Sequence, residues 1–177
     1  MRTPEQRAAL VAQLHALKTG LFVDMVESGS LPLRPGVARL VADAIAAGVK
    51  VAVCSTSNEK SVSGIVRVGL GPAVAAVMPV FAGDVVPKKK PAPDIYLLAA
   101  AQLGVDPARC VVVEDSRIGM RAAKAAGMRC VVTTSPYTAD EDFAEADALF
   151  DCIGDNFGVD DLATPGSFWL NPPARVA

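Results

Sequence analysis

Apolar positions along the chain switch repeatedly between helical and strand-like spacing, and that alternation sets the expected architecture. Leu10, Leu14, Leu17 and Leu21 fall on one helical face. Thr3, Pro4 and Gln6 mark the start of that helix as N-cap, first-turn proline and capping-box partner. Gly29–Pro35 breaks the pattern and reads as a linker. Pro35 opens a second helix carrying Val37, Leu40, Val41 and Ile45, with Gly48 just past its end. β-branched runs at Val49–Cys54, Val77–Phe81, Val111–Val113 and Cys130–Thr133 predict strands. Pro79 inside the second run predicts an edge position.

Helices alternate with these strands. One, capped by Ser57 or Asn58, carries Val62, Ile65 and Val66 and ends at Gly69-Leu70-Gly71-Pro72. Another opens at Pro93-Asp94, carries Ile95, Leu98 and Leu103, and closes at Gly104. A third is capped by Ser116, runs through Met120 and Ala123, and closes at Gly127. Ala139–Ala146 predicts a short acidic helix and Ala148–Phe150 a last short strand; from Gly154 on the tail reads as irregular. Strand, helix, strand in repetition predicts an α/β fold with a parallel sheet wrapped by helices.

Composition narrows the partners. A chain of 177 residues is one domain, or one with part of a second. Apolar residues make up 51% of it, enough for a core. The net charge is −2, and the lone basic run, Lys88–Lys90, is too short for a nucleic-acid surface. No uninterrupted apolar stretch reaches the roughly 18 residues of a membrane span, so no membrane partner is expected. The opening MRTPEQRAAL has neither a signal-peptide nor a transit-peptide pattern. None of Cys54, Cys110, Cys130 and Cys152 forms a CxxC pair, which points to a reducing compartment and away from zinc. His15, the sole histidine, lies in a predicted helix, which argues against a Ser-His-Asp triad.

Candidate chemistry gathers at the ends of the predicted strands, where open α/β sheets carry their sites. Ser55-Thr56-Ser57 follows the first strand, Lys90 precedes Pro91 in the loop after the second, and Glu114-Asp115 follows the third. Adjacent carboxylates repel unless a cation or water lies between them, so a hard divalent metal is their natural partner. Hydroxyls and a lysine bind phosphate oxygens. Singly, each feature has a plainer reading: a helix cap, a solvated lysine, a polar turn. Together they suit phosphoryl transfer, which relies on positioning and electrostatics. A receiver-type signalling module uses similar groups, but with the acids first in the chain and the Lys-Pro last. The GxG at Gly69–Gly71 does not follow a strand, so a dinucleotide-binding reading is rejected.

These motifs, in this order, resemble those of the haloacid dehalogenase-like hydrolases. VAVCSTSNEK resembles the second family motif, KKKPAPDIY the third and VVVEDSRIG the fourth. LPLRPGV, GDVVPKKKPAPDIY and YTADEDF are similar to the CbbY-like phosphatases, a branch of plastid and bacterial enzymes acting on sugar bisphosphates such as xylulose 1,5-bisphosphate. The resemblance implies Lys90 and Ser55 as catalytic residues and Thr56, Ser57, Lys18 and Thr19 as substrate-binding. It implies Asp115 and Glu114 as residues serving Mg²⁺, a small phosphorylated sugar as substrate, and the chloroplast stroma or the cytoplasm as location. Residues 1–30 would be a remnant of a helical cap, 31–155 a Rossmann-like core and 156–177 an irregular tail.

One departure accompanies the agreement. The family's first motif, an apolar strand followed by Asp-x-Asp that supplies the nucleophile and the acid/base, has no match. Asp24 follows Leu21-Phe22-Val23, but Val26 stands at the second Asp position; Asp140-Glu141-Asp142 lacks the strand. The chain therefore reads as truncated at its amino end. The central strand is expected to be missing, and the edges of its neighbours to pair with each other or with a partner chain. A non-catalytic product that binds phosphate or a partner is the alternative.

Overall fold

The computed structural model describes residues 3–154 and 157–163. Among the described residues five parallel strands form two sheets. β1 (Val53–Ser55) pairs with β2 (Val80–Ala82), in the register Val53 to Val80. β3 (Val111–Glu114), β4 (Arg129–Thr133) and β5 (Ala148–Phe150) form the second sheet in that order. Pro79 directly precedes β2, an edge strand whose only partner among the described residues is β1. The β-branched run from Val49 yields only three residues of strand, because ladder pairing is available only opposite β2.

The expected break in the sheet is present. β1 and β3 are not hydrogen-bonded to each other, and no strand lies between them among the described residues. The two sheets nevertheless share one core. Phe81 of β2, Val112 of β3 and Cys130 and Val132 of β4 pack with Ile95, Tyr96 and Ala99 of α5 (Asp94–Leu103). Met120, Ala122 and Ala123 of α6 (Arg117–Ala125) join them, and Ala52 and Cys54 lie against the same cluster. Gly104, at φ 62°, closes α5 as expected, and Ser116 Oγ accepts from Gly119 N to start α6.

On the other face, Leu40 of α2 (Val37–Ala46) packs against Val131, Ala148, Ile153 and Phe157. The segment after Gly154 contributes here, which corrects the irregular tail as far as it is described. Val159 and Leu162 of the short helix α7 (Val159–Ala163) cover this cluster, and Arg39 Nη2 donates to the carbonyls of Gly154 and Phe157. Residues 155–156 and 164–177 of the expected tail lie outside the described residues. α3 (Glu59–Leu70) is capped by Asn58, the second of the two expected caps. It is followed by α4 (Pro72–Ala75), a short helix that the Gly-Pro sequence did not suggest.

Two further expectations are corrected. α1 (Pro4–Glu27) has its capping box, but only Val26 on it is buried. Val11, Leu14, Leu17 and Leu21, each more than half exposed, do not face a core. By length and composition α1 is apolar enough to cross a membrane. Gln13, His15 and Lys18 interrupt its apolar run, so the sequence carries no uninterrupted stretch of that length. The helix expected over Ala139–Ala146 is instead a series of turns lying along α6. Asp142, Glu145 and Asp147 pair there with Arg117, Arg121 and Lys124 of α6, and Glu141 Oε2 accepts from the Arg117 backbone N. A helix turns its side chains around an axis, whereas this strap of turns presents its acids to one basic edge. Phe143, inserted into the core, anchors the strap.

Candidate active site

The break between β1 and β3 opens at their carboxyl ends, and Lys90 spans it. Its Nζ donates to the Cys54 carbonyl of β1 at 2.9 Å and to Glu114 Oε1 of β3 at 2.6 Å. Both charged side chains are about nine-tenths buried, at 11% and 10% exposure, so neither charge is tolerable there without the other. The Lys90–Pro91 peptide bond is cis, and the loop then enters α5, which carries Tyr96. The phenol of Tyr96 donates to Glu114 Oε1 at 2.5 Å, and the Lys90 ammonium lies 4.6 Å from the centre of the Tyr96 ring, a cation–π contact. Burial, and then the Glu114 charge, push the Tyr96 hydroxyl far above its ordinary range, so it is a permanent donor.

The second oxygen of Glu114 is also engaged. Oε2 accepts from Ser116 Oγ at 3.3 Å and from the Asp115 backbone N at 3.2 Å. Glu114 thus faces inward and is occupied by protein donors. Asp115 faces the opposite way. It is exposed as a residue, yet the protein around it, and then the Glu114 charge, raise its carboxyl above the usual value; Arg34 and Lys90 oppose this. Among the described residues no side chain donates a hydrogen bond to the Asp115 carboxylate. Of the two acids expected to serve a metal, Asp115 is the one whose oxygens remain available. No cluster of three or more acids, histidines or cysteines suited to a metal occurs among the described residues.

Ser55 ends β1 beside Cys54, and its Oγ accepts from Ser57 N at 3.1 Å, turning the chain toward α3. Thr56 and Ser57 are exposed on this turn. Ser55 therefore shares the mouth of the break with Lys90, Glu114 and Asp115. Lys18 and Thr19 do not join them. Both lie on α1, and Thr19 Oγ1 donates to the His15 carbonyl of its own helix at 2.8 Å. Burial raises the Cys54 thiol to about 11, so the cysteine beside Lys90 is a neutral packing group.

Two contributors were not legible in the sequence reading. Tyr96 sits in an aliphatic helix and passes for core; the signal is its hydroxyl, since a buried phenol requires a partner. Arg34 donates to the carbonyls of Thr133, Thr134 and Asp151 and so ties the turn before α2 to the ends of β4 and β5. Its partners are, apart from Thr133 Oγ1, backbone carbonyls, which leave no mark in a sequence.

The family model of the haloacid dehalogenase-like hydrolases matches residues 4–127. The chain belongs to the haloacid dehalogenase-like hydrolases. A CBBY-like protein of Arabidopsis thaliana is 66% identical over 150 residues, 85% of this chain and 47% of that protein. The protein CbbY of Cereibacter sphaeroides is 43% identical over 158 residues, 88% of this chain and 69% of that protein. The chain thus spans about half to two-thirds of these two relatives. Among solved structures, a CbbY variant from Rhodobacter sphaeroides in complex with xylulose-(1,5)bisphosphate superposes with a TM-score of 0.81 at 40% identity, covering 93% of this chain and 72% of that one. The α/β fold with parallel strands and flanking helices is that of these hydrolases.

Proposed function

We propose that this chain carries the phosphate and metal side of a Mg²⁺-dependent phosphatase acting on a sugar phosphate or bisphosphate of the xylulose 1,5-bisphosphate kind. One observation carries the reading: the buried Lys90 ammonium, fixed between the Cys54 carbonyl and Glu114 at the carboxyl ends of β1 and β3. An ammonium has three N–H donors. Two are spent inside the protein, and the third is left for a phosphate oxygen. Ser55, with Thr56 and Ser57 beside it, supplies hydroxyl and backbone donors for the remaining oxygens.

Asp115 is the residue we assign to Mg²⁺. Its carboxyl, to which no side chain donates among the described residues, has the chemistry of a hard-cation ligand, and Mg²⁺ is commonly held by one or two carboxylates together with substrate phosphate and water. Bound there, the ion would neutralise charge on the phosphoryl group. Glu114, by contrast, serves Lys90. In complete enzymes of this kind an aspartate forms an aspartyl-phosphate that water then hydrolyses. No residue of this chain matches that aspartate, so the 177 residues alone are expected to bind phosphate and to turn over nothing. Lys18 and Thr19 would meet substrate only if α1 closed over the site. A plastid location belongs to the same proposal and is checked with a fluorescent fusion.

A second reading, a non-catalytic module that takes a strand from a partner chain, is favoured by the open edges of β1 and β3. The deciding experiment titrates inorganic phosphate, with and without Mg²⁺, by calorimetry against wild type, Lys90→Ala and Asp115→Asn. Phosphate affinity should fall at least about tenfold in Lys90→Ala, and Mg²⁺ should enhance binding in wild type but not in Asp115→Asn. Equal affinities in all three proteins would sink the phosphatase-site reading. Joining an upstream segment bearing an apolar strand and Asp-x-Asp should then give turnover of sugar bisphosphates.

A further inference from the structure

The Lys90–Glu114 pair raises a question of placement. A lysine on a four-carbon stem is a mobile point charge, yet here it holds one position across a break in the sheet. Its anchor is Glu114, so whatever seats Glu114 seats the lysine. Two residues do this from opposite sides. Tyr96, 5% exposed on α5, donates to the same Oε1 that accepts from Lys90, and its ring supports the ammonium. Gly119, in the first turn of α6, lies directly against the carboxylate. A Cβ there would overlap Glu114 Cδ and both of its oxygens. The space is set by side-chain volume and not by backbone conformation, since Gly119 has no positive φ.

We propose that Tyr96 and Gly119 are positioning residues that seat the Glu114 carboxylate under Lys90, making Glu114 the lysine's buried counter-ion. The inference rests on Lys90 being the phosphate-contacting lysine. Tyr96 fixes where Oε1 points. Gly119 lets the carboxylate lie flat on α6, where Ser116 Oγ and the Asp115 N–H hold Oε2. The ammonium then has two donors spent and one directed outward. Without the phenol, Oε1 loses its neutral donor and is held by Lys90 alone. With a methyl at position 119, the carboxylate is expelled and Lys90 loses its charge partner.

The test reads Lys90 directly. The full chain is acetylated with a trace of an N-hydroxysuccinimide ester, and each lysine's rate is measured by mass spectrometry. Exposed Lys60 and Lys88 serve as internal references, and Lys124, paired with Asp147, as a control for general loosening. In wild type Lys90 should react at least about tenfold more slowly than Lys88. Tyr96→Phe, which keeps the ring, should raise the Lys90 rate about threefold, and Gly119→Ala about tenfold. Lys60, Lys88 and Lys124 should stay unchanged. An unchanged Lys90 rate in Tyr96→Phe overturns the proposal, and so does an equal rise at Lys124. If Gly119→Ala does not fold, Tyr96→Phe decides alone, because it removes one oxygen and no volume. Inorganic phosphate is added in a separate arm with wild type. If phosphate fails to slow Lys90 acetylation, the phosphatase-site reading falls, while the comparison of variants still decides the roles of Tyr96 and Gly119.

Discussion

The guanidinium of Arg34 donates to the carbonyl of Thr133 at 2.9 Å and to its Oγ1 at 3.2 Å, joining the turn before α2 to the end of β4. The same group donates to the Asp151 carbonyl and to that of Thr134. Hydrogen bonds from a charged donor to partly buried acceptors are among the stronger ones. Arg34→Met should therefore cost about 3 kcal/mol, lowering Tm by roughly 6–12 °C for a chain of this size. Arg34→Lys should recover little, because a single ammonium lacks the planar fork that reaches several carbonyls. Thermal melts of the three proteins check this.

Gly36 precedes α2 with φ 84°, and a Cβ there would lie 2.5 Å from Gly154 N and 2.7 Å from Ile153 Cγ2. The nearest obstacle is backbone that also hydrogen-bonds, Gly154 N to the Pro35 carbonyl at 3.0 Å. It cannot yield cheaply. Gly36→Ala should cost at least about 2 kcal/mol. Gly48, at φ 72° in open space, supplies the contrast: Gly48→Ala should cost only the left-handed backbone term, about 1 kcal/mol. Urea unfolding of both variants separates the clash from the conformation.

Asp147 holds two partners: Lys124 Nζ at 2.8 Å and the Cys130 backbone N at 2.7 Å. Asp147→Ala should cost about 2 kcal/mol, because it leaves an N–H in the middle of the fold without an acceptor. Arg117–Asp142 and Arg121–Glu145 are longer and more exposed pairs. Breaking either should cost under about 0.5 kcal/mol. Unfolding midpoints at low and high salt should move for the exposed pairs only.

Asp115 gives a pH signature. Burial, with Glu114 next, raises its carboxyl in the folded protein. Over the interval between its ordinary value near 3.9 and the higher folded value, the native state binds more protons than the unfolded chain. Stability contributed by this group is thus lost as pH rises through that interval. Asp115→Asn removes the charge that must be desolvated, so it should be the more stable protein at neutral pH and equal to wild type in acid. Denaturant midpoints of the pair across that pH range check the sign. A difference that grew toward acid would contradict it.

The parts of the site that follow from local chemistry were legible in the sequence. Ser116 caps α6, two acids stand at the end of β3 and just after it, and Lys90 stands before Pro91, all from short-range pattern. Their place at the ends of predicted strands brought them to one crevice. The rest depended on contacts that local pattern does not encode. Glu114 and Asp115 are equivalent as letters, yet Tyr96 and Lys90 draw one inward and leave the other outside. The stripe from Leu10 to Leu21 has the spacing of a buried face, but spacing says nothing about whether a neighbour is present to cover it. The segment Ala139–Ala146 carries helix-compatible residues whose acids are held in turns along the basic edge of α6.

The break between β1 and β3 also bears on how the molecule opens. Among the described residues no backbone hydrogen bond crosses it, so the β1–β2 layer is joined to the β3–β4–β5 layer through side chains and the helices above them. Ladder bonds make cooperative units, and their absence at one seam divides the protein into two foldons. Amide protons of Val53–Ser55 and Val80–Ala82, in a layer of only two strands whose β1 residues are half-buried, should exchange through local opening. Those of Arg129–Thr133, flanked by strands on both sides, should exchange only with global unfolding. Lys90, bonded to both layers, is then a latch between them as well as a charge.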